Sequence, residues 1–199
     1  MNKIILYVIR HGKTICNEKR LYCGKSDVSL SELGIQEIKI SIGERNYPNC
    51  KLNYTSGAKR ANETFKLIFK DKDYEERRGF FEYDFGDFEM KSYEMLKEDE
   101  RYISWITDKT GTVKCPNGES KKEFYIRLTK ALNELIDEII ANDENEGILV
   151  CHGGTIGTLL ELFFRGDRDF YSYQPSCGSG YKIEIIRDSD IRIEVLEEL

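Results

Sequence analysis

Two continuous hydrophobic runs dominate the pattern of apolar and polar positions along the chain. The runs Ile4–Ile9 and Ile148–Cys151 each end close to a histidine followed by glycine, in Arg10-His11-Gly12 and His152-Gly153-Gly154. Such a run is typical of a strand buried on both faces, and ligands of α/β sheets bind just beyond the carboxyl ends of these strands. We therefore expect both histidine side chains to lie at one edge of a sheet.

Helical and strand periodicities in the rest of the chain predict successive βα units. Ser29-Leu30-Ser31-Glu32 has the spacing of a capping box and opens a helix that ends before residues 46–49, whereas the polar residues 14–27 are typical of a loop. The remaining periodicities predict a strand at Lys51–Thr55, helices at Ala58–Phe69, 119–142 and Thr155–Phe164, and two final strands at Tyr181–Ile186 and Ile191–Leu196.

The segment from about residue 77 to 118 interrupts this order because it is aromatic and irregular. We expect it to form a cap over the strand ends. Residues 1–199 as a whole are expected to form a single α/β domain, a three-layer sandwich with a mostly parallel central sheet and helices on both faces.

The composition excludes several classes of partner. A formal charge of −6 and a pI near 5.2 argue against nucleic acid or an anionic membrane, since both require a broad basic surface. No run reaches the roughly 18 to 20 apolar residues of a membrane span, and the start of the chain lacks a signal-peptide layout, so we expect a cytoplasmic protein. The six cysteines form no C-x-x-C pair, which disfavours a zinc site or a disulfide framework. Cys151 is interpreted as a buried residue that ends a strand, rather than as a nucleophile.

Five residues together match what phosphoryl transfer through an imidazole requires. His11 can attack phosphorus, Arg10 and Arg60 offer planar forks for phosphate oxygens, and His152 completes the anion site. Glu82 lies among aromatic residues, a setting that raises the pKa of a carboxyl group, so it can protonate a leaving alkoxide. Backbone N–H groups can approach the anion at Gly12, Gly153 and Gly154. The chemistry needs no metal or other cofactor, because cationic side chains neutralise the developing charge.

Each of these residues also has an ordinary structural interpretation. A histidine beside glycine is usually structural, and an arginine on a helix, such as Arg60, usually solvates a face. Their joint occurrence favours function, although spacing alone does not name the reaction.

Several blocks of the chain resemble the signature of the histidine phosphatase superfamily, also called phosphoglycerate mutase-like. Arg10-His11-Gly12-Lys13-Thr14 with Asn17 resembles R-H-G-[E/Q]-[T/S]-x-x-N, and the block from Tyr22 through Gly24 to Gly34 resembles the next motif. Further matches follow in family order at Thr55–Thr64 (S-x-x-x-R-A-x-x-T), Glu82–Glu89 (E-x-x-F-G-x-W-E) and Cys151–Gly154.

The resemblance implies a phosphatase in which His11 is transiently phosphorylated and Glu82 donates the proton. It implies that the phosphate pocket is lined by Arg10, Arg60, His152 and Asn17. It also implies that Gly24, Ser56 and Gly153 lie near the phosphate or the substrate. Trp105-Ile106-Thr107-Asp108 and Pro116-Asn117-Gly118-Glu119-Ser120 are most similar to the alpha-ribazole phosphatase branch. The expected partner is a small phosphorylated metabolite, such as alpha-ribazole 5′-phosphate, and the sequence leaves the oligomeric state unknown.

Two departures from the family pattern and two other functions remain open at this stage. Lys13 replaces an acidic or amide residue, so it either strengthens phosphate binding or points into solvent, and Met90 stands where glycine often follows the acid segment. A cofactor-dependent phosphoglycerate mutase and a non-catalytic phosphate-binding module are the alternatives to a phosphatase.

Overall fold

The computed structural model describes residues 2–166 and 169–199, which build an α/β sheet with helices packed on both faces. The strands, in chain order, are β1 (Asn2–Arg10), β2 (Asn53–Thr55), β3 (Glu75–Glu76), β4 (Glu146–Cys151), β5 (Gly180–Arg187) and β6 (Ile191–Glu198). Their order across the sheet is β3-β2-β4-β1-β5-β6. The helices are α1 (Ile15–Glu18), α2 (Glu32–Glu44), α3 (Lys59–Phe69), α4 (Tyr93–Leu96), α5 (Glu100–Ile106), α6 (Lys121–Ala141) and α7 (Gly153–Phe163).

The centre of the sheet is the parallel pair of β1 and β4. Their register places Arg10 opposite Cys151, and the His11 N–H donates to the Cys151 carbonyl at 3.0 Å. The two strands therefore end at the same level of the sheet, which brings the residues that follow them to one edge. Strands β2 and β3 extend the parallel part, whereas β5 runs antiparallel to both β1 and β6. The mostly parallel sheet expected from the sequence is confirmed.

Side chains of β1 alternate between two hydrophobic layers, as the period of a strand requires. Leu6 and Val8 pack with helices α6 and α7, while Ile9 packs with α3 on the opposite face. The two layers explain why the hydrophobic runs are continuous, since both faces of the central strands are covered. The expectation of helices on both faces is also confirmed.

Two local predictions about the chain between β1 and α2 are wrong. Within the expected loop of residues 14–27, Ile15–Glu18 form one helical turn, because Thr14 and Asn17 build a capping box across it. A single turn is too short to show an apolar periodicity in the sequence. Helix α2 is capped by Ser31, whose hydroxyl accepts from the Gly34 N–H, rather than by Ser29.

The segment 77–118 is more regular and more buried than its composition indicated. It contains 3₁₀ turns at Arg78–Phe80 and Gly86–Phe88 and the short helices α4 and α5. Phe80 and Phe88 are fully buried and belong to the same hydrophobic layer as α6 and α7. This packing fixes the backbone on both sides of Glu82.

None of the helices in the described part of the chain is long and apolar enough to cross a membrane.

Candidate active site

The two histidines follow the central strands and lie side by side. Their ring centroids are 5.2 Å apart, and both side chains are buried, with exposed fractions of 5% for His11 and 0% for His152. His11 Nδ1 lies 2.7 Å from the Gly12 carbonyl oxygen. A carbonyl oxygen only accepts, so Nδ1 carries the proton and the lone pair of the imidazole is on Nε2.

Both imidazoles are held in the neutral form. Burial, and then the charges of Arg60 and Arg10, hold the pKa of His11 well below its usual value. The pKa of His152 is also lowered well below the usual value, first by burial and then by Arg60. At neutral pH His11 Nε2 therefore carries a lone pair rather than a proton.

Arg60 brings a buried positive charge into contact with His11. The side chain, from the first turn of α3, is 1% exposed, and its Nε lies 3.3 Å from His11 Nε2. Its Nη1 and Nη2 donate to the carbonyls of Ser26 and Gly24 at 2.9 and 2.8 Å. Carbonyl partners orient the guanidinium without neutralising its charge, which leaves that charge to attract an anion.

Arg10 supplies a second guanidinium, next to the start of α7. Its Nη1 donates to the Pro175 carbonyl at 2.8 Å, while its buried Nε has no hydrogen-bond partner among the described residues. A Cβ at position 153 would lie 2.9 Å from the Arg10 Cζ, so any larger residue there would have to displace the guanidinium. Neither Arg10 nor Arg60 forms an ion pair with a residue that the structure describes.

Ser56 orients the second histidine. Its Oγ lies 2.8 Å from His152 Nε2, and the buried His152 Nδ1 has no partner within residues 2–166 and 169–199. Buried nitrogen atoms without partners are rare in folded proteins because each loses its hydrogen bonds to water. The site contains two such atoms, His152 Nδ1 and Arg10 Nε, together with the guanidinium groups of Arg10 and Arg60. This combination indicates a site for an oxyanion.

Glu82 is attached to the same site through the N-terminus of α7. Its Oε2 accepts from the Gly154 N–H at 2.8 Å and its Oε1 from the Tyr83 N–H at 3.0 Å. Burial raises the pKa of the Glu82 carboxyl, although these N–H groups and Arg60 oppose the shift. A Cβ at Gly154 would lie 2.5 Å from Glu82 Oε1, so any larger residue there would have to displace the carboxyl group. A carboxyl group with a raised pKa suits proton donation near neutral pH.

Asn17, Gly24 and Ser56 are the remaining residues predicted to bind the phosphate or the substrate. Ser56 contacts His152, whereas Asn17 and Gly24 bond to other residues of the protein. The Asn17 Oδ1 accepts from the Thr14 N–H and hydroxyl, so this amide oxygen caps α1. Gly24 holds Arg60 through its carbonyl, and a Cβ there would lie 1.5 Å from the Tyr83 carbonyl oxygen. Gly24 therefore allows the loop that anchors Arg60 to pack against the segment carrying Glu82.

A network that the sequence did not indicate holds the Glu82 backbone. Arg127 donates to the carbonyls of Gly79 and Phe81 at 2.9 Å each and to that of Glu82 at 3.2 Å. The same guanidinium pairs with Glu119, whose Oε1 accepts from the Asp84 N–H at 2.9 Å. We call this arrangement the Arg127–Glu119 brace. The Glu119 position was part of a quoted motif, but nothing in the spacing of α6 indicates that Arg127 points back to residue 82.

The two departures from the family pattern, and one cysteine, have defined surroundings. The Lys13 Nζ pairs with Glu37 Oε1 at 2.6 Å on the surface of α2, with more than a third of each side chain exposed. Met90 has a φ of 61°, which is the left-handed conformation that favours glycine. Cys151 is fully buried, and burial raises the pKa of its thiol, which fits the structural role expected for it.

Among the described residues there is no group of three or more His, Cys, Asp or Glu side chains that could hold a metal ion.

Comparison with known proteins gives the same picture at the level of family and fold. The family model described as "Histidine phosphatase superfamily (branch 1)" matches residues 6–194. The adenosylcobalamin/alpha-ribazole phosphatase of Salmonella typhimurium is 29% identical over 159 residues, which are 78% of this chain and 77% of that protein. A Yersinia pestis protein named "Probable phosphoglycerate mutase GpmB" is 27% identical over 98% of each chain. The crystal structure of the alpha-ribazole phosphatase from Shigella flexneri has a similar fold, with a TM-score of 0.78, 23% identity and coverage of 97% of this chain and 96% of that one.

Proposed function

Because the chain belongs to the histidine phosphatase superfamily, we propose that it hydrolyses phosphate monoesters in two steps through a phosphohistidine at His11. The observation that carries this proposal is the contact of Arg60 Nε with His11 Nε2 at 3.3 Å. It places a buried guanidinium without an acidic partner at the nitrogen that holds the imidazole lone pair. A phosphoryl group at this point would meet its nucleophile and its counter-charge together.

In the first step, His11 Nε2 attacks phosphorus in line with the ester oxygen. The N–P bond forms as the P–O bond to the leaving alcohol breaks, and the carboxyl proton of Glu82 moves to the departing oxygen. Arg10, Arg60 and His152 stabilise the equatorial phosphoryl oxygens, where charge accumulates. The raised pKa of Glu82 keeps a useful fraction of the carboxyl protonated before the step.

In the second step, the Glu82 carboxylate takes a proton from water as the water oxygen attacks phosphorus. The N–P bond breaks, inorganic phosphate leaves, and the neutral imidazole of His11 is regenerated. Glu82 thus acts as acid in one step and as base in the other, which requires a pKa between those of a free carboxyl group and of the leaving alcohol.

For the natural substrate, we propose a small phosphorylated metabolite and, more narrowly, alpha-ribazole 5′-phosphate. Similarity to the alpha-ribazole phosphatase of Salmonella typhimurium supports the narrower proposal. A screen of phosphorylated metabolites tests it, since a preference of several decades in kcat/KM for alpha-ribazole 5′-phosphate is expected. A flat profile would remove the narrower proposal and leave the phosphatase reaction standing.

The covalent intermediate is tested by trapping it. Brief incubation with a ³²P-labelled monoester and acid-free quenching should label the peptide that contains His11, and His11→Ala should lose both the label and the hydrolysis of p-nitrophenyl phosphate. The chain has only one other histidine, His152, so peptide mapping identifies the labelled position without ambiguity. Hydrolysis by His11→Ala at the unmutated rate would refute the mechanism, and a wild-type protein that takes no label would indicate a non-catalytic module.

The mutase alternative predicts a different product from the same intermediate. A mutase returns the phosphoryl group to a second hydroxyl of its substrate, whereas a phosphatase passes it to water. Incubation with 3-phosphoglycerate, with and without 2,3-bisphosphoglycerate, separates the two, since we expect slow release of inorganic phosphate and no 2-phosphoglycerate.

A further inference from the structure

A cleft of about 450 Å³ opens beside Glu82 and continues the proposed phosphate site. Glu82 and Gly154 line one end of it, and Gln174 lines it next to Pro175, whose carbonyl holds Arg10. The rest of the lining is mostly aromatic and is contributed by the loop before α2, the segment 77–118, helices α6 and α7, and the chain before β5. We call it the aromatic cleft; its rings include Tyr22, Tyr83, Phe85, Trp105, Phe170 and Tyr171.

The polar atoms of three of these aromatic side chains are already satisfied within the protein. The hydroxyls of Tyr22 and Tyr102 bond each other, the Tyr83 hydroxyl donates to the Glu119 carbonyl at 2.7 Å, and the Trp105 Nε1 donates to the Tyr83 hydroxyl at 3.0 Å. These groups offer ring faces and edges, rather than hydrogen bonds, to whatever enters. Ring surfaces of this kind bind planar aromatic groups by stacking and edge contacts.

The charged side chains in the lining are also engaged. Asp108 accepts from the Val113 and Thr110 N–H groups at 2.7 and 2.8 Å, and Lys121 pairs with Glu161 at 3.4 Å. Apart from Glu82, no other acidic or basic side chain belongs to the described lining of the cleft. A leaving group with its own carboxylate or second phosphate would therefore be desolvated beside a lysine that is already paired with Glu161, which is costly.

Exposed apolar surface at the rim indicates that the cleft is built to be covered by a ligand. Tyr171 is 79% exposed and Ile106 is 46% exposed, while the remaining aromatic rings are buried or half-buried. A ring placed between the rim and Tyr83 would remove this apolar surface from water.

We propose that the aromatic cleft binds the leaving group of the substrate and selects alcohols that carry a planar aromatic ring and no second anionic group. This inference rests on the proposed phosphatase function, because it takes Glu82 at the end of the cleft as the proton donor to the leaving oxygen. Tyr171 and Trp105 are the specificity-determining residues, and neither takes part in the chemistry.

The experiment compares two esters whose leaving groups are both primary alcohols, so that leaving-group acidity is nearly matched. The wild-type protein should have a kcat/KM for 2-naphthylmethyl phosphate at least about tenfold above that for n-butyl phosphate, mainly through KM. Tyr171→Ala should reduce this ratio about fivefold, because it removes one exposed ring without disturbing the core. Tyr93→Ala is the control, since Tyr93 is also exposed (54%) and aromatic but lies outside the cleft, and it should keep the wild-type ratio.

Failure of this inference differs from failure of the proposed function. Hydrolysis of both esters with a ratio near one, or a ratio that Tyr171→Ala does not change, would overturn the aromatic cleft as the leaving-group site and leave the phosphatase intact. Preference for 3-phosphoglycerate over both esters would also overturn it. That result would favour a second cavity of about 470 Å³ that reaches Glu82 and carries Lys25 and Arg78. Absence of hydrolysis of every ester would instead refute the proposed function itself.

Discussion

Replacing Arg127 with methionine removes the brace behind Glu82 and should act mainly on the proton transfer. Methionine keeps a long apolar side chain against Phe124, over which the guanidinium lies at 4.9 Å, but it donates no hydrogen bonds. The backbone carbonyls of Gly79, Phe81 and Glu82 would lose their charged donor. We expect the backbone at Glu82 to become more mobile, so that the carboxyl group is no longer held in one position relative to His11.

The lower bound of the effect follows from the three hydrogen bonds to backbone carbonyls that Arg127→Met removes, in addition to its ion pair with Glu119. A hydrogen bond to a charged group contributes about 1.5–3 kcal/mol when buried, and partial exposure of Arg127 (28%) reduces this toward about 1 kcal/mol for each of the three carbonyls. The expected loss in the free energy of unfolding is about 3 kcal/mol, or roughly 6–12 °C in Tm for a chain of this length. General acid catalysis contributes roughly 10²–10⁴ in rate, so a displaced Glu82 should cost about 100-fold in kcat for n-butyl phosphate.

The assay separates this effect from simple destabilisation by the choice of ester. Nitrophenolate leaves without protonation, so Arg127→Met should slow the first step with p-nitrophenyl phosphate, measured as the burst of nitrophenolate, by less than about fivefold. The second step needs Glu82 as a base with either ester, so the first-step rates are the ones compared. Arg127→Lys restores one charged donor and should give intermediate rates. Arg77→Met is the matched control, because Arg77 forms a similarly exposed ion pair with Glu138 (29% and 26%) without contacting Glu82. It should lower Tm without changing the ratio of the two rates.

The reasoning is refuted if Arg127→Met slows both esters by the same factor at a temperature well below its unfolding transition. A ratio that changes equally in Arg77→Met would refute it as well, since any loss of an ion pair on α6 would then produce the effect.

Two further predictions concern stability. Burial raises the folded pKa of Glu82 above its unfolded value, so the stability that Glu82 contributes is complete below about pH 4 and is lost as the pH rises through the folded pKa. In urea titrations, the free energy of unfolding of Glu82→Gln relative to wild type should therefore increase between pH 4 and 8. A constant difference would contradict this. Met90→Gly should relieve the strain of a φ of 61° and raise Tm by about 2 °C, the gain of about 1–2 kcal/mol being partly offset by glycine's chain entropy. The control is Met95→Gly, which should lower Tm because Met95 is helical in α4. An unchanged or lower Tm for Met90→Gly would show that the left-handed conformation of Met90 is not strained.

The sequence predicted most of the sheet and the residues at its edge, because the signals involved are local. A continuous apolar run that ends in histidine and glycine identifies β1 and β4 without knowledge of their neighbours, and parallel pairing then brings His11 and His152 together. Helices α3, α6 and α7 were within about two residues of their predicted bounds, since their apolar periodicity is long enough to be distinct.

The parts that were not predictable depend on contacts between distant residues. The brace joins α6 to backbone carbonyls that lie 45 to 48 positions earlier, and carbonyls have no sequence signature. The cap of α2 depends on a choice between two serines, Ser29 and Ser31, that satisfy similar local rules. The buried order of segment 77–118 comes from aromatic rings such as Phe88 and Tyr102 packing on each other, and composition alone does not fix that packing.

The position of β1 in the sheet has a consequence during synthesis. It is translated before the other five strands that the structure describes, yet both of its partners, β4 and β5, belong to the last third of residues 1–199. Its backbone N–H and C=O groups therefore lack their β4 partners, and its apolar side chains lack part of their cover, until residue 151 has been translated. A chain interrupted before that point exposes an unpaired, aggregation-prone strand β1 and lacks His152. We expect such fragments to be bound by chaperones or degraded by proteases.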